Sequence, residues 1–433
     1  MPPESVVAEP IDPAICSTHE LVACHECDAL HRRVHLQRGA SAHCVRCGAV
    51  LFKHLHYGIE RPLALALAAL GLFLITHAFP FLSLKIEGIF EENVVTSGVL
   101  ALWNAGMPDL AILVGLTSVL FPLITIIGLL WLLIPLSLGV KAIGAGIVYR
   151  TMHAVGPWSL LAVFMLGVLV AFVKLVDLAT VVPGVSLFAF AALMIVATAA
   201  NASFRAEFIW DPDADRQRWP VAVDQLQSGA AAAGLLGCHV CTALTPIAAA
   251  QHRHKCHRCG TPLHEFRKTN SLVRCWALVI SAVILLFPAN LYPVMTVIQL
   301  GRGEPSTILS GVAQLLEAGA IGLATVVFVA SVVVPVVKII LLIYLLISVQ
   351  RRSPWRAAER TRLYRLTEVV GAWSMVDIFL VGVLSALVKL QALATIEPGI
   401  GASYFGAVVV MTMFAAHSFD PRLIWDHAVR PAQ

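Results

Sequence analysis

Cys24-His25-Glu26-Cys27 and Cys44-Val45-Arg46-Cys47-Gly48 return later in the chain as Cys238-His239-Val240-Cys241 and Cys256-His257-Arg258-Cys259-Gly260. Two CxxC pairs with about 15 residues between them set four thiolates around one tetrahedral ion, and a glycine after the last cysteine permits a tight turn. A long apolar stretch follows each four-cysteine segment. The matches continue through those stretches. Pro80 falls on Pro293, Gly98 on Gly311, Gly106 on Gly319 and Pro122 on Pro335, each 213 residues on. Trp158-Ser159 falls on Trp373-Ser374, Lys174-Leu175 on Lys389-Leu390 and Pro183-Gly184 on Pro398-Gly399, each 215 residues on. An ordered series of this kind marks an internal duplication.

Composition supplies the solvent. The 433 residues are 58% hydrophobic and 13% charged, with a mean hydropathy of +0.83. A soluble surface needs more charge, so lipid is the expected surrounding. The stretch before Pro62 is polar and cysteine-bearing and does not read as a signal peptide. The reading is an all-α polytopic membrane protein of two tandem four-helix transmembrane units, each preceded by a small cytoplasmic zinc ribbon. The expected divisions are the first ribbon at 1–60, unit one at 61–210, a linker and second ribbon at 211–270, unit two at 271–420 and a tail at 421–433.

Spans of about 20 residues are expected near 62–82, 109–140, 158–180 and 184–204, and near 274–295, 320–349, 367–395 and 399–418. The second span of each unit carries a proline, Pro122 or Pro335, and a kink or tilt is expected there. Segments 94–106 and 307–319 read as interfacial helices or re-entrant turns, and 83–93 as an acidic loop. Lys and Arg concentrate before the first span, after each second span (Lys141 and Arg150; Arg351 to Arg365) and in the linker. That bias places both termini and both ribbons in the cytoplasm.

Zinc held by Cys24, Cys27, Cys44 and Cys47, and by Cys238, Cys241, Cys256 and Cys259, is the favoured use of the clusters: one ion per ribbon, two in total. A rubredoxin-type iron site uses similar spacing. A redox dithiol fits less well, because four thiols close the coordination sphere. Cys16 and Cys275 stand outside the clusters. Nucleic-acid binding is not expected from a ribbon tethered beside a bilayer.

Ionisable residues within spans usually face a bundle interior. Here they are Lys174 and Asp177 in unit one, and Lys338, Asp377 and Lys389 in unit two, with Thr412 as a neutral neighbour. Lys338 and Asp377 both fall roughly 15 Å deep by helical rise, so they are expected to form a pair. Thr125 and Ala162 stand at the equivalent places in unit one. Lys174 and Lys389 lie toward the far ends of their spans, where snorkelling explains them. The set serves either a structural ion pair or a polar cavity for a lipid headgroup or protons. Asn290, in Phe287-Pro288-Ala289-Asn290-Leu291-Tyr292-Pro293, is expected to cover backbone groups that proline leaves open. No Walker A, HExxH, GxSxG or Rossmann pattern is present, so an enzyme is not expected.

The duplicated ribbon-plus-span unit, the Phe-Pro-Ala-Asn-x-x-Pro run and the Gly-Val-Leu…Val-Lys-Leu…Pro-Gly pattern resemble the paraquat-inducible protein A family of Gram-negative inner membranes. The resemblance covers nearly the whole chain. It implies a partner, a periplasm-spanning MCE-domain protein, and phospholipid as cargo. On that reading the chain is the inner-membrane subunit of an MCE-type lipid transport system that supports envelope integrity, with proton coupling as one energy source. Lys174, Asp177, Lys338, Asp377, Lys389 and Thr412 are then the candidates for lipid or proton handling. The competing readings are a structural anchor for the MCE protein and a redox membrane protein.

Overall fold

Each four-cysteine segment folds into short antiparallel hairpins. A computed structural model describes residues 15–34, 36–37, 39–53, 58–86, 89–176, 180–204, 208–210, 219–222, 229–251, 255–263, 267–268, 270–299, 302–317, 319, 321–371, 375–387 and 394–428. The first ribbon contains β1 (Ile15–Ser17), β2 (Leu21–Ala23) paired with β3 (Leu30–Arg32), and β4 (Ser41–His43) paired with β5 (Val50–Lys53). Unit one follows: α1 (Glu60–Ala78), the hairpin β6 (Leu82–Ile86) and β7 (Ile89–Asn93), α2 (Ser97–Asn104), α3 (Pro108–Gly115), α4 (Phe121–Ser137), α5 (Ala145–Val155), α6 (Leu161–Val176), β8 (Thr180–Pro183) and α7 (Val185–Ser203).

The second ribbon holds β9 (Pro220–Ala222), β10 (Leu235–Gly237), β11 (Leu244–Pro246) and the short α8 (Ile247–Gln251). Unit two repeats unit one. It runs α9 (Ser271–Leu291), β12 (Met295–Gln299), β13 (Arg302–Ser306), α10 (Ile308–Glu317), α11 (Ile321–Phe328), α12 (Val334–Gln350), α13 (Ala357–Gly371), α14 (Val376–Leu387), β14 (Ala394–Pro398) and α15 (Ile400–Ser418). Among the described residues, seven helical stretches are long and apolar enough to cross a bilayer. The chain is a multi-pass membrane protein of two tandem helical units, each preceded by a four-cysteine ribbon.

Proline dictates the break in each second span. A proline has no N–H for the carbonyl four residues back, and its ring crowds that carbonyl. The misfit is taken up by a wide π-turn just ahead of it, Leu116–Leu120 before Pro122 and Val329–Val333 before Pro335. Ser118 donates to the Val114 carbonyl, and Ser331 to the Val327 carbonyl, each at 2.6 Å. In lipid, such hydroxyls satisfy carbonyls that the backbone leaves open.

Small residues set the helix pairs. Ala66, Ala69 and Phe73 of α1 pack against Phe190, Leu193 and Ala197 of α7. Cys275, Val279 and Ala282 of α9 do the same against Ala402, Phe405 and Val409 of α15. Close backbone approach replaces the hydrophobic effect as the cohesive force between helices in lipid. The units meet along α6 and α14, where the Phe164 and Phe379 rings lie 5.3 Å apart edge-to-face. The α2 helix crosses α14 at Gly98, whose Cα approaches so closely that a Cβ there would sit 3.2 Å from the Gly382 carbonyl oxygen.

Several expected boundaries shift. The first spans end at Ala78 and Leu291 rather than running to 82 and 295, because Pro80 and Pro293 stop the helices. The acidic stretch 83–93 is not a loop but the β6–β7 hairpin, joined by β8 into a three-stranded antiparallel sheet. The far ends of the third spans, near 180 and 395, are the strands β8 and β14, and β14 completes the equivalent sheet of unit two. The sheets thus add a β layer to the helical bundle on the side opposite the ribbons. Segments 94–106 and 307–319 contain the helices α2 and α10. The basic connections after the second spans are ordered as α5 and α13. In the third span of unit two, residues 372–374 and 388–393 lie outside the described residues.

Two glycines lock sheet to bundle. A Cβ at Gly184 would fall 2.1 Å from the Pro80 carbonyl oxygen, and one at Gly399 would fall 2.2 Å from that of Pro293. Their N–H groups bond to Phe81 and Val294 at 3.1 and 2.7 Å. The duplicated Pro-Gly and the duplicated proline therefore meet across the fold.

Candidate functional site

All four knuckles share one turn. The N–H after each second cysteine bonds back to the carbonyl of the first: Asp28 to Cys24, Gly48 to Cys44, Thr242 to Cys238 and Gly260 to Cys256, at 2.8–2.9 Å. That residue is left-handed each time, with φ of 64° at Asp28, 73° at Gly48, 58° at Thr242 and 72° at Gly260. Gly48 and Gly260 adopt this freely, while Asp28 and Thr242 are held there by the turn. The turn aims both sulfurs of a knuckle inward. In each ribbon the four Sγ atoms lie within 4.8 Å of one another and all four cysteines are buried. Pairs from opposite knuckles approach to 3.4–3.5 Å, close to the roughly 3.8 Å edge of a tetrahedron with 2.3 Å metal–sulfur bonds. Each set is arranged to hold one metal ion.

The two ribbons form one body. Strand β1 pairs with β9, and the Thr18 N–H bonds to the Trp219 carbonyl at 2.9 Å. Asp28 receives the N–H of Ala230 on its carbonyl at 2.8 Å and that of Ala231 on its carboxylate at 3.0 Å. Leu21 and Leu30 of the first ribbon share a buried cluster with Val221, Leu235 and Leu244 of the second.

This body seats crosswise on the membrane units. Arg365, on α13 of unit two, donates through Nε to both Glu26 oxygens at 2.7 and 2.8 Å and through Nη2 to the Cys47 carbonyl at 2.8 Å. Arg150, on α5 of unit one, donates to the Gly260 carbonyl at 2.6 Å. Burial alone would raise the Glu26 carboxyl, but hydrogen bonds from His25 and Arg365 outweigh it and hold it below the ordinary range. Arg267 of the second ribbon bonds to Asp426 and lies 3.6 Å from Asp28. Asp420, 1% exposed, ties the end of α15 to the start of α9. It accepts from the Lys268 N–H and from Arg422, and its own N–H bonds to Ser271. Burial disfavours its charge, yet Arg422 and the two backbone donors bring its carboxyl below the usual carboxylate value.

Beneath the ribbon body lies a cavity of about 570 Å³. Its walls include Glu26, His153, His239, Lys268, Glu368 and His417. One helical turn past Glu368, Gly371 packs against Lys338 of α12, which is 2% exposed. A Cβ at Gly371 would fall 2.4 Å from the Lys338 Nζ, so the absent side chain makes room for the ammonium group. Thr412 is buried on α15, where its hydroxyl donates to the Val409 carbonyl at 2.9 Å. Asp377 lies on α14 and Lys174 on α6, with side chains outside the described set. Asp177 and Lys389 lie outside the described residues. Asn290 donates from Nδ2 to the Leu286 carbonyl at 2.8 Å, in the turn interrupted by Pro288.

The sequence profile of the family described as Paraquat-inducible protein A matches residues 59–213 and 272–429, one match on each helical unit. The chain belongs to the paraquat-inducible protein A family. Among members of this family, the intermembrane transport protein PqiA of Escherichia coli (strain K12) is 34% identical over 95% of this chain and 98% of its own length. The lipophilic envelope-spanning tunnel protein A of the same strain is 29% identical over 93% of this chain and 90% of its own. A probable intermembrane transport protein of Haemophilus influenzae is 28% identical over 94% and 96%. No solved structure gives a significant match.

Sequence reasoning passed over Arg150, Arg365, Glu368 and Gly371. The arginines read only as members of basic connections. Gly371 carries no chemistry by itself, and its spacing from Lys338 has meaning only once α12 and α13 are packed.

Proposed function

We propose that this member of the paraquat-inducible protein A family is the inner-membrane subunit of an MCE-type lipid transport system. It moves phospholipid between the inner membrane and a periplasm-spanning MCE tunnel, with its ribbons and both termini in the cytoplasm and one zinc ion in each ribbon. The reading is supported by near full-length similarity to proteins named for intermembrane transport. The observation that carries it to a site is Lys338, an ammonium-bearing side chain 2% exposed within an apolar helix. Holding such a group away from water is costly, and groups so held in spans line substrate or proton paths. Lys338, Asp377 and Thr412 of unit two, with Lys174, Asp177 and Lys389 on the third spans, are the residues assigned to lipid or proton handling. Closed four-thiolate sites suit zinc, whose role is to hold the ribbons folded.

The test is photo-crosslinking to labelled phospholipid in cells, with probes at Lys338 and Asp377 and control probes at the outward-facing Val337 and Ile340. Enrichment at the inner positions is expected. Crosslinks confined to Val337 and Ile340 would instead favour a structural anchor for the MCE protein.

A further inference from the structure

We propose that each metal ribbon positions the membrane unit of the other repeat, and that Arg365 and Arg150 are the positioning residues through which it does so. The two arginines are counterparts, standing 215 residues apart like the neighbouring Trp158-Ser159 and Trp373-Ser374. Each sits on the helix that leads into the third span, α13 or α5. Each reaches the backbone at the last knuckle of a ribbon, and in both cases it is the ribbon that precedes the other unit in the chain. Arg365 holds the Cys47 carbonyl and Glu26 of the first ribbon. Arg150 holds the Gly260 carbonyl of the second. Gly146, one turn before Arg150, lets α5 approach the same knuckle, since a Cβ there would lie 2.9 Å from the Cys259 carbonyl oxygen.

The chemistry suits a metal-dependent hold. The carbonyls that receive the arginines belong to Cys47, a metal-ligating residue, and to Gly260, the residue after one. Their direction is set by a turn that the ion keeps closed. A planar guanidinium with several fixed donors satisfies a carboxylate and a carbonyl at once. The two holds differ in strength. The position matching Glu26 in the second ribbon is Val240, so Arg150 has the carbonyl without a carboxylate and grips less firmly.

The hold on α13 reaches the buried lysine. Arg365 and Gly371 lie on the same helix, and Gly371 is the surface on which Lys338 rests. The first ribbon thus fixes the wall of the Lys338 site. This last link rests on the transport reading of Lys338, whereas the crosswise hold stands on its own contacts.

Hydrogen–deuterium exchange on the full-length protein in nanodiscs tests the hold. Arg365→Ala should speed exchange in α13 by about tenfold or more, leave α5 unchanged and keep two metal ions per chain. Arg150→Ala should loosen α5 alone, and by less. Arg365→Lys, which keeps the charge without the fork, should recover part of the protection. Stripping the metal from the unaltered protein should loosen both helices. Unchanged α13 in Arg365→Ala, or loosening of α5 instead, overturns the proposal. A paired replacement, Cys256→Ser with Cys259→Ser, should loosen α5 before α13, and the reverse order overturns it. Lipid crosslinking at Lys338 then separates the two claims. Its loss in Arg365→Ala with partial return in Arg365→Lys supports the link to the site. Its absence in the unaltered protein sinks the transport reading and leaves the exchange result to decide the hold.

Discussion

Replacing Gly184 with alanine should destabilise the protein through one contact whose size is set by the fold. The added Cβ would lie 2.1 Å from the Pro80 carbonyl oxygen, and real contacts of this kind stay beyond 3.0 Å. Strand and helix must therefore separate by about 0.9 Å. The obstacle is backbone and has no rotamer to escape into. Its neighbour Phe81 is tied to Asn93 on one side and to the Gly184 N–H on the other. Overpacking costs about 1–3 kcal/mol and a lost backbone hydrogen bond about 1 more, so Gly184→Ala should cost roughly 2–4 kcal/mol. Gly399→Ala should cost about the same, from its 2.2 Å approach to Pro293. Gly71, within α1, supplies the control, because a Cβ there meets nothing within 4 Å. Gly71→Ala should be neutral or stabilising by about 0.5–1 kcal/mol. Thermal unfolding of the detergent-solubilised protein, followed by tryptophan emission at one scan rate, reads the difference. A fall of several degrees for Gly184→Ala and none for Gly71→Ala is expected. Equal midpoints for the two variants would refute the close approach of sheet and bundle.

Elemental analysis of the purified protein should find two zinc ions per chain and no absorbance band near roughly 490 nm, and a coloured protein carrying iron would overturn the zinc assignment. Asp420 has its carboxyl lowered in the folded state, so its stabilising effect is complete above the unfolded value near 3.8 and fades as pH falls through the folded value. Asp420→Asn should cost about 1–3 kcal/mol at neutral pH and flatten the acid limb of the stability curve, and an unchanged limb would show that the tie contributes nothing. Lys338→Met should leave membrane abundance and the melting midpoint intact or raised, since removing a buried charge is often stabilising, while lipid transfer is lost. Normal transfer in that variant would remove Lys338 from the transport path.

The tandem architecture is legible because duplication writes the same local rules twice. Proline stops, Pro-Gly turns and CxxC knuckles are each decided within a few residues, so their recurrence maps directly onto repeated structure. Pro122 and Pro335 announce their breaks for the same reason, although the π-turn that absorbs each one is visible only in the backbone. The sheets are harder to see. β6 and β7 are five residues each, and β6 finds its second partner, β8, across the whole of α2 to α6. Strand pairing over such distances has no periodic signature. The helix α13 hides in an arginine-rich stretch whose mean hydropathy argues against a span. Its role depends on Arg365 meeting Cys47 across 318 residues, a contact that neither charge counting nor helical period encodes. Lys338 stands out as a charge in an apolar run, but Gly371 beside it does not.

The crosswise seating also sets a timetable for biogenesis. Cys47 leaves the ribosome 318 residues before Arg365, an interval of roughly 15–60 s at ordinary rates of synthesis. Throughout that time the first ribbon has neither its helix nor its sister ribbon to lean on, since β9 and Leu235 emerge later as well. Metal capture is the one stabilising event open to it, so newly made chains in metal-starved cells should be lost to proteases before the second half is inserted.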